Sequence, residues 1–191
     1  TLAAAGGITT YRAFCDTAPV LERYWAERAG LGWTGRNHQL IIPHAGSMFF
    51  LGELFVQEEL EYDSPIPNRC GRCHACLDAC PTSSIISNQS SFISSRCLSY
   101  LTIEHRGPIP HSSLKNIYGC DICQLACPWN RFAVPTTEPA FQPSEALLTM
   151  TKEKWHNLTE EQYRILFKGS AVKRAKYSGL MRNISAIAHN S

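Results

Sequence analysis

The chain has 191 residues, 44% of them hydrophobic, with nine cysteines and a formal net charge of +2. That length holds one large domain or two small ones, at an ordinary globular composition. The most apolar stretch, residues 47–56, spans ten residues and contains Glu53, too short and too polar for a membrane-crossing helix. The small net charge hides an asymmetry. Residues 1–150 carry ten Lys and Arg against thirteen Asp and Glu, whereas residues 151–191 carry eight against three. A basic tail on a mildly acidic body suits a polyanionic partner, with a solvated helix face as the plainer alternative.

The first element expected is a helix over residues 17–29. Thr17 is placed to cap it, Pro19 sits in its first turn, and Gly30 follows its end. Asp16, just before it, reads as another capping carboxylate, and Cys15 as a small buried apolar residue. Next, Gly30-Leu-Gly32-Trp-Thr-Gly35 matches G-x-G-x-x-G. A dinucleotide fingerprint follows a strand and opens a helix. This one follows a helix and leads toward strands, so its glycines are expected to serve tight turns or close backbone approach. Residues 39–42 and 48–56 are the strand candidates, joined by a turn at 43–46, with His38 and His44 as solvated loop histidines. Residues 58–69 are acidic, then proline-rich, and read as a linker.

Eight cysteines then fall between Cys70 and Cys127. Cys70, Cys73, Cys76 and Cys80, followed by Pro81, form C-x2-C-x2-C-x3-C-P, the run with which two-cluster ferredoxins hold iron–sulfur clusters. Cys97 stands alone. Cys120, Cys123 and Cys127, followed by Pro128, form C-x2-C-x3-C-P. Two [4Fe–4S] clusters need eight thiolates, and eight are present. In this pattern the fourth cysteine of a run ligates the other cluster. Cys70, Cys73 and Cys76 should therefore share a cluster with Cys127. Cys80 should join Cys120 and Cys123, with Cys97 supplying the missing thiolate. The prolines end the local turns because they have no N–H to continue them. Zinc sites would more often show separated Cys pairs with histidines. A disulfide framework needs an oxidising compartment, and no secretory h-region is visible, so the cytosol is the expected location.

Beyond the first run, residues 82–95 are a serine-rich connection. Residues 96–104 can form a short helix that Gly107-Pro-Ile-Pro110 breaks. Residues 133–143, with three prolines, read as an extended connector. Residues 159–168 should be helical, with Thr159 and Gln162 as a capping box and Gly169 as the stop. Residues 171–189 form a second helix. Val172, Ala175, Leu180, Ile184 and Ile187 share its apolar face, while Lys173, Arg174, Lys176 and Arg182 lie off it. The pair is a helical hairpin of the kind that begins an α-solenoid. The chain starts at Thr1 and ends inside a helical pattern, so a piece of a longer protein is expected.

Several stretches together resemble epoxyqueuosine reductase. They are Asp16-Thr-Ala-Pro-Val-Leu-Glu22, Gly30-Leu-Gly-Trp-Thr-Gly-Arg-Asn37, Gly46-Ser-Met-Phe-Phe-Leu-Gly-Glu53, both cysteine runs through Cys127-Pro-Trp-Asn130, and Phe167-Lys-Gly-Ser-Ala-Val-Lys-Arg-Ala-Lys176. The matches keep their order through nearly the whole chain. The resemblance implies an α+β chain in which part of a cobalamin-binding α/β catalytic domain (residues 1–60) precedes a ferredoxin-like domain with two [4Fe–4S] clusters (61–132). A connector (133–158) and a helical hairpin opening HEAT-like repeats (159–191) follow. It implies cobalamin as a further cofactor, and tRNA with a queuosine-type anticodon loop as substrate. It also implies a low-potential electron donor such as ferredoxin or flavodoxin, no membrane association, and a monomer. By this resemblance Asp16 is the acid that protonates the departing epoxide oxygen, in place of its capping role. Asn37, Leu40, Leu51, Ser99 and Tyr100 are the expected corrin contacts. Lys168, Lys173, Arg174, Lys176 and Arg182 are the cations expected to face tRNA phosphates.

Two other classes compete. A corrinoid reductive dehalogenase also joins cobalamin to two clusters, but usually carries an export signal and leaves the basic tail unexplained. A plain electron-transfer ferredoxin explains the cysteines but not the 69 residues before them.

Overall fold

The computed structural model describes residues 6–86, 91–109 and 114–188. Pro110 and the expected end of the last helix lie outside them. The chain divides into two compact units. One holds the chain up to Cys76 together with Cys123–Val134; the other holds Leu77–Ile122 and the chain from Pro135 onward. The cysteine-rich stretch thus contributes to both units rather than forming one by itself.

In the first unit, β1 (Tyr11–Phe14) pairs antiparallel with β4 (Glu53–Val56), placing Tyr11 opposite Val56 and Phe14 opposite Glu53. A short hairpin of β2 (Trp33–Thr34) and β3 (Leu40–Ile41) lies between them in sequence. Its side chains form the core. Trp33 is fully buried, Ile41 and Leu40 nearly so, and each such burial stabilises by about 1.5–3 kcal/mol. The ring of Trp33 meets Trp129 edge to face, with centroids 4.9 Å apart. Helix α1 (Glu22–Arg28) buries only Ala26. It is tied to the hairpin by Glu27, whose Oε2 accepts from the Thr34 amide at 3.2 Å and the Thr34 hydroxyl at 2.5 Å.

The glycine motif follows α1 and enters β2, as its context in the sequence requires. A Cβ on Gly32 would collide with the Ile41 backbone, and one on Gly35 would lie 2.9 Å from Asn37 Oδ1. These glycines let the hairpin close on itself. Residues Cys123–Val134 are pinned to the same unit through a clasp. The Ser47 amide donates to Asn130 Oδ1 at 2.6 Å, and Asn130 Nδ2 donates to the Gln124 carbonyl at 2.6 Å. Gly46, with φ +87°, lets the backbone approach Asn130 this closely.

The second unit is mainly helical. A hairpin of β5 (Ile85–Ile86) and β6 (Ser91–Phe92) leads to α3 (Leu98–Ile103). Three short helices follow, α5 (Glu145–Leu148), α6 (Lys152–His156) and α7 (Glu160–Leu166), each capped by a hydroxyl from Ser144, Thr151 and Thr159. The Thr159–Gln162 capping box is formed as expected. A 3-10 turn (Ala171–Ala175) then runs into α8 (Lys176–Ala188). Leu158, Tyr163, Phe167, Leu180 and Ile184 make one core, and Leu98, Leu101 and Leu114 another. Two further helices carry cysteines, α2 (Ala75–Ala79) and α4 (Ile122–Leu125), and the division of the chain falls within each.

Four sequence expectations change. The first helix starts at Glu22 rather than Thr17, because Thr17 Oγ1 accepts from the Cys15 amide inside a preceding loop. The strand expected over residues 48–56 is limited to Glu53–Val56, the span that finds a partner in β1. The extended connector expected over residues 133–143 is broken by a 3-10 turn at Pro139–Phe141, where the Glu138 side chain accepts from the Ala140 amide. Cys15 is exposed rather than buried, just past the end of β1, its Sγ donating to the Leu51 carbonyl at 3.1 Å.

Candidate functional site

Cys70, Cys73, Cys76 and Cys127 line a single cavity of the first unit, together with Asn37, Ile41 and Trp129. Local structure places each thiol. The Cys70 amide donates to Asn68 Oδ1 at 2.9 Å, while Asn68 Nδ2 donates to the Thr34 carbonyl at 3.0 Å. The Gly71 carbonyl accepts from Arg36 Nη2 at 2.8 Å. Helix α2 presents Cys76, and Pro128 opens a 3-10 turn directly after Cys127. Burial pushes the Cys76 thiol up to about 11, with Cys127, Cys70 and Cys73 adding to the rise. Burial also raises Cys127, against backbone N–H groups of Trp129 and Asn130 that favour its thiolate. Four thiols so close cannot all ionise unless a positive body lies among them.

In the second unit Cys80, Cys97 and Cys120 approach one another. Burial raises the Cys120 thiol, the Ile122 N–H opposes the rise, and Cys97 and Cys80 are among the charges that add to it. Cys80 is shifted the other way. Burial pushes it up, but hydrogen bonds from Thr82 and Ser84 outweigh burial and bring it below the usual thiol range. The Ser84 amide donates to its Sγ at 3.3 Å. Cys97 caps α3, and Leu101 N–H bonds its carbonyl at 2.9 Å. Cys123, three residues after Cys120 and within α4, belongs to the first unit.

Both sets fit iron–sulfur clusters by donor chemistry. A polynuclear core needs thiols spread around a larger body. The Asn37 Nδ2 group on the first cavity's wall is buried without a hydrogen-bond partner among the described residues, and cluster sulfurs are acceptors.

Asp16 lies at a second pocket of the first unit, about 230 Å³ in volume, shared with Glu22, Arg23, Gln39, Leu40 and Leu51 among others. Its φ is +53°, in the left-handed region. Asp tolerates that conformation better than most residues. Its amide donates to Glu22 Oε1 at 2.7 Å. The capping role does not hold: α1 begins six residues later, behind Leu21, and no side chain caps it. The carboxylate is exposed rather than enclosed by apolar walls. A larger open cavity of about 990 Å³ shares Glu22 and Leu51 with this pocket. Burial raises Glu53 on its wall, with Glu22 adding to the rise.

The remaining expected contacts divide. Leu40 and Leu51 line the Asp16 pocket; Asn37 does not, and lines the cysteine cavity instead. Ser99 and Tyr100 sit on α3 beside Cys97, in the other unit. Arg23, Gln39 and Ser47 also line the pocket and were missed, since single polar residues in loops carry no periodic signal.

The basic cluster is smaller than the sequence implied. Lys168, Lys173 and Lys176 are exposed. Arg174 is exposed but pairs with Glu104. Arg182 is not an outward cation. Its Nη1 donates to the His105 and Gly107 carbonyls at 2.7 and 2.9 Å, and its Nη2 to the Leu101 carbonyl at 2.8 Å. Helix α8 turns it inward, onto the loop after α3.

Residues 69–130 match the family of 4Fe-4S double cluster binding domains. An epoxyqueuosine reductase of Cellulophaga algicola is 46% identical over 91% of this chain and 58% of its own length. That of Escherichia coli is 43% identical over 95% and 48%. A Streptococcus thermophilus epoxyqueuosine reductase structure superposes with TM-score 0.78 at 33% identity, covering 95% of this chain and 48% of that one. An epoxyqueuosine reductase bound to a tRNA-Tyr epoxyqueuosine-modified tRNA stem loop gives TM-score 0.80 at 27% identity, covering 95% and 49%. The chain spans about half the length of the curated relatives it matches. Over more than nine-tenths of its own length, it is therefore similar in sequence and fold to epoxyqueuosine reductases.

Proposed function

We propose that this chain forms the electron-transfer and acid-bearing part of an enzyme that reduces epoxyqueuosine to queuosine at the tRNA wobble position. The observation that carries the reading is the convergence of Cys70, Cys73, Cys76 and Cys127 on one cavity of the same unit that holds the Asp16 pocket. Cys80, Cys97, Cys120 and Cys123 would hold the second cluster. Overall, both epoxide C–O bonds break, a carbon–carbon double bond forms between the two ring carbons, two electrons and two protons enter, and the oxygen leaves as water.

Cobalamin, when bound, would supply the nucleophile that opens the epoxide. The pocket at Asp16 is below the usual size of a small-molecule site, about 300–1,000 Å³. Joined along Glu22 and Leu51 to the larger apolar cavity, it suits one part of a large flat cofactor. Leu40 and Leu51 would press on it and exclude water. Asp16 would give its carboxyl proton to the epoxide oxygen as the C–O bond breaks. Its exposed position at the pocket allows it to reach substrate, and the Glu22 contact to its amide fixes the turn. Lys168, Lys173 and Lys176 would meet phosphates of the anticodon stem, positioning the RNA without choosing the base.

Asp16→Asn tests the reading, because Asn also tolerates positive φ and keeps the turn. In cobalamin-loaded protein acting on an epoxyqueuosine-containing stem loop, the variant should keep its iron and lose about 10²–10⁴ of turnover. Nucleoside mass spectrometry reads the product. Turnover near that of the unaltered protein would remove Asp16 from the chemistry.

A further inference from the structure

We infer that Asn37 donates a hydrogen bond to the cluster held by Cys70, Cys73, Cys76 and Cys127 and raises that cluster's reduction potential. The inference rests on the iron–sulfur reading proposed above. Asn37 is 3% exposed and stands on the wall of the cavity those four cysteines line. Its amide orientation is set by a neighbour. Oδ1 accepts from the Gln39 N–H at 3.2 Å, which leaves Nδ2 as the group without an acceptor among the described residues. A buried N–H left unpaired is destabilising, so the site calls for an acceptor. Trp33 Nε1 is a second buried orphan, but Trp33 is not on the cavity wall.

The loop is shaped to seat this amide. A Cβ on Gly35 would press on Asn37 Oδ1 and on Ile41 Cδ1. Glycine at 35 therefore clears the space that the carboxamide fills. Gln39 and Leu40, a few residues on, line the Asp16 pocket. The stretch from Arg36 to Ile41 thus borders both the cysteine cavity and the Asp16 pocket.

The electrical consequence follows from charge. Reduction adds one negative charge to the cluster, spread over its sulfurs. An N–H dipole pointing at a sulfur stabilises that charge more than the oxidised state, so the potential rises. An acceptor of electrons placed beside the Asp16 pocket needs to be reducible by the donor that feeds it, and Asn37 adjusts that balance without touching substrate. It is a positioning and tuning residue rather than a catalytic one.

The test is an anaerobic redox titration followed by electron paramagnetic resonance on the iron-reconstituted protein. Asn37→Asp keeps an oxygen for the Gln39 N–H and replaces the donor with an anion. One midpoint should fall by at least about 59 mV, a tenfold drop in the reduced-to-oxidised ratio at fixed potential; the other should stay. Asn37→Leu, which deletes the donor without adding charge, should move the same midpoint in the same direction by less. A Cys97→Ser background, lacking the second cluster, should retain the midpoint that moves. Unmoved midpoints in both variants at full iron, movement of the other midpoint, or loss of iron from both variants would each overturn the inference. Failure of the underlying reading looks different: the unaltered protein would then show no [4Fe–4S] signal at all.

Discussion

Replacing Asn183 by leucine should damage the seat proposed for the second cluster without touching a cysteine. Asn183 is fully buried. Its Nδ2 donates to the Thr102 carbonyl at 2.9 Å and the Ile117 carbonyl at 2.8 Å, and its Oδ1 accepts from Arg182 Nη2 at 2.8 Å. Thr102 in turn accepts the Gly119 N–H on its hydroxyl at 3.0 Å. The helix that starts after Cys97 and the backbone just before Cys120 are thus held by one network. Leucine matches the volume but strands two buried carbonyls, each costing about 1–3 kcal/mol. The expected loss is about 2–6 kcal/mol, a large share of a typical domain's total of roughly 5–15 kcal/mol. At a urea slope of about 2 kcal/mol per molar, the unfolding midpoint should fall by roughly 1–3 M. Circular dichroism under anaerobic urea titration measures the midpoint, and a colorimetric assay measures iron, which should fall toward half. A midpoint shift under about 0.5 M with full iron would refute the reasoning, since it would mean that the carbonyls find water when the amide is gone.

Four further outcomes are expected. Reconstituted protein should hold about eight irons; Cys97→Ser should lose roughly half, and Cys15→Ser, exposed beside Asp16, should lose none. Iron-free protein treated with iodoacetamide near neutral pH should be alkylated at Cys80 before Cys76, by peptide mass spectrometry. The shift at Cys80 is downward and that at Cys76 upward to about 11, so the thiolate fraction at this pH is larger at Cys80. Equal rates would contradict both directions. Lys168→Ala with Lys173→Ala should weaken tRNA binding and flatten log affinity against log salt by about 1.4–1.8, two contacts at 0.7–0.9 each; an unchanged slope would make this face merely solvated. Arg182→Ala should instead lower stability, because its guanidinium holds three backbone carbonyls.

What the sequence disclosed and what it hid follow from how local each signal is. The grouping of the cysteines follows from local spacing: the structure brings Cys70, Cys73 and Cys76 to one cavity with Cys127, the set that the crossover rule expects. The Thr159–Gln162 capping box was legible for the same reason. The start of α1 was not. That helix buries a single alanine, so no apolar stripe marks where it begins, and Thr17 and Pro19 suggested a cap that the loop uses otherwise. Arg182 reads as a surface cation on a helical wheel, yet its partners are carbonyls some 75–81 residues away. Asn37 sits in a motif that drew attention to its glycines. Its assignment to the cysteine cavity depends on the closed hairpin lying beside Cys70, Cys76 and Cys127, distant in sequence, which no local pattern announces.

The clasp between Ser47 and Asn130 bears on how the protein is made. Cys76 and Cys127 are 51 residues apart in the chain, and the segment bearing Cys127 can dock only after Asn130 has been synthesised. At about 5–20 residues per second, a ribosome takes roughly 3–10 s to cover that interval. Throughout it the nascent chain displays three closely spaced thiols whose fourth companion does not yet exist. Iron delivered in that window would find an incomplete cradle, and oxidants would find a ready pair. Insertion of the proposed first cluster is therefore expected to follow the synthesis of Asn130 and the closing of the clasp.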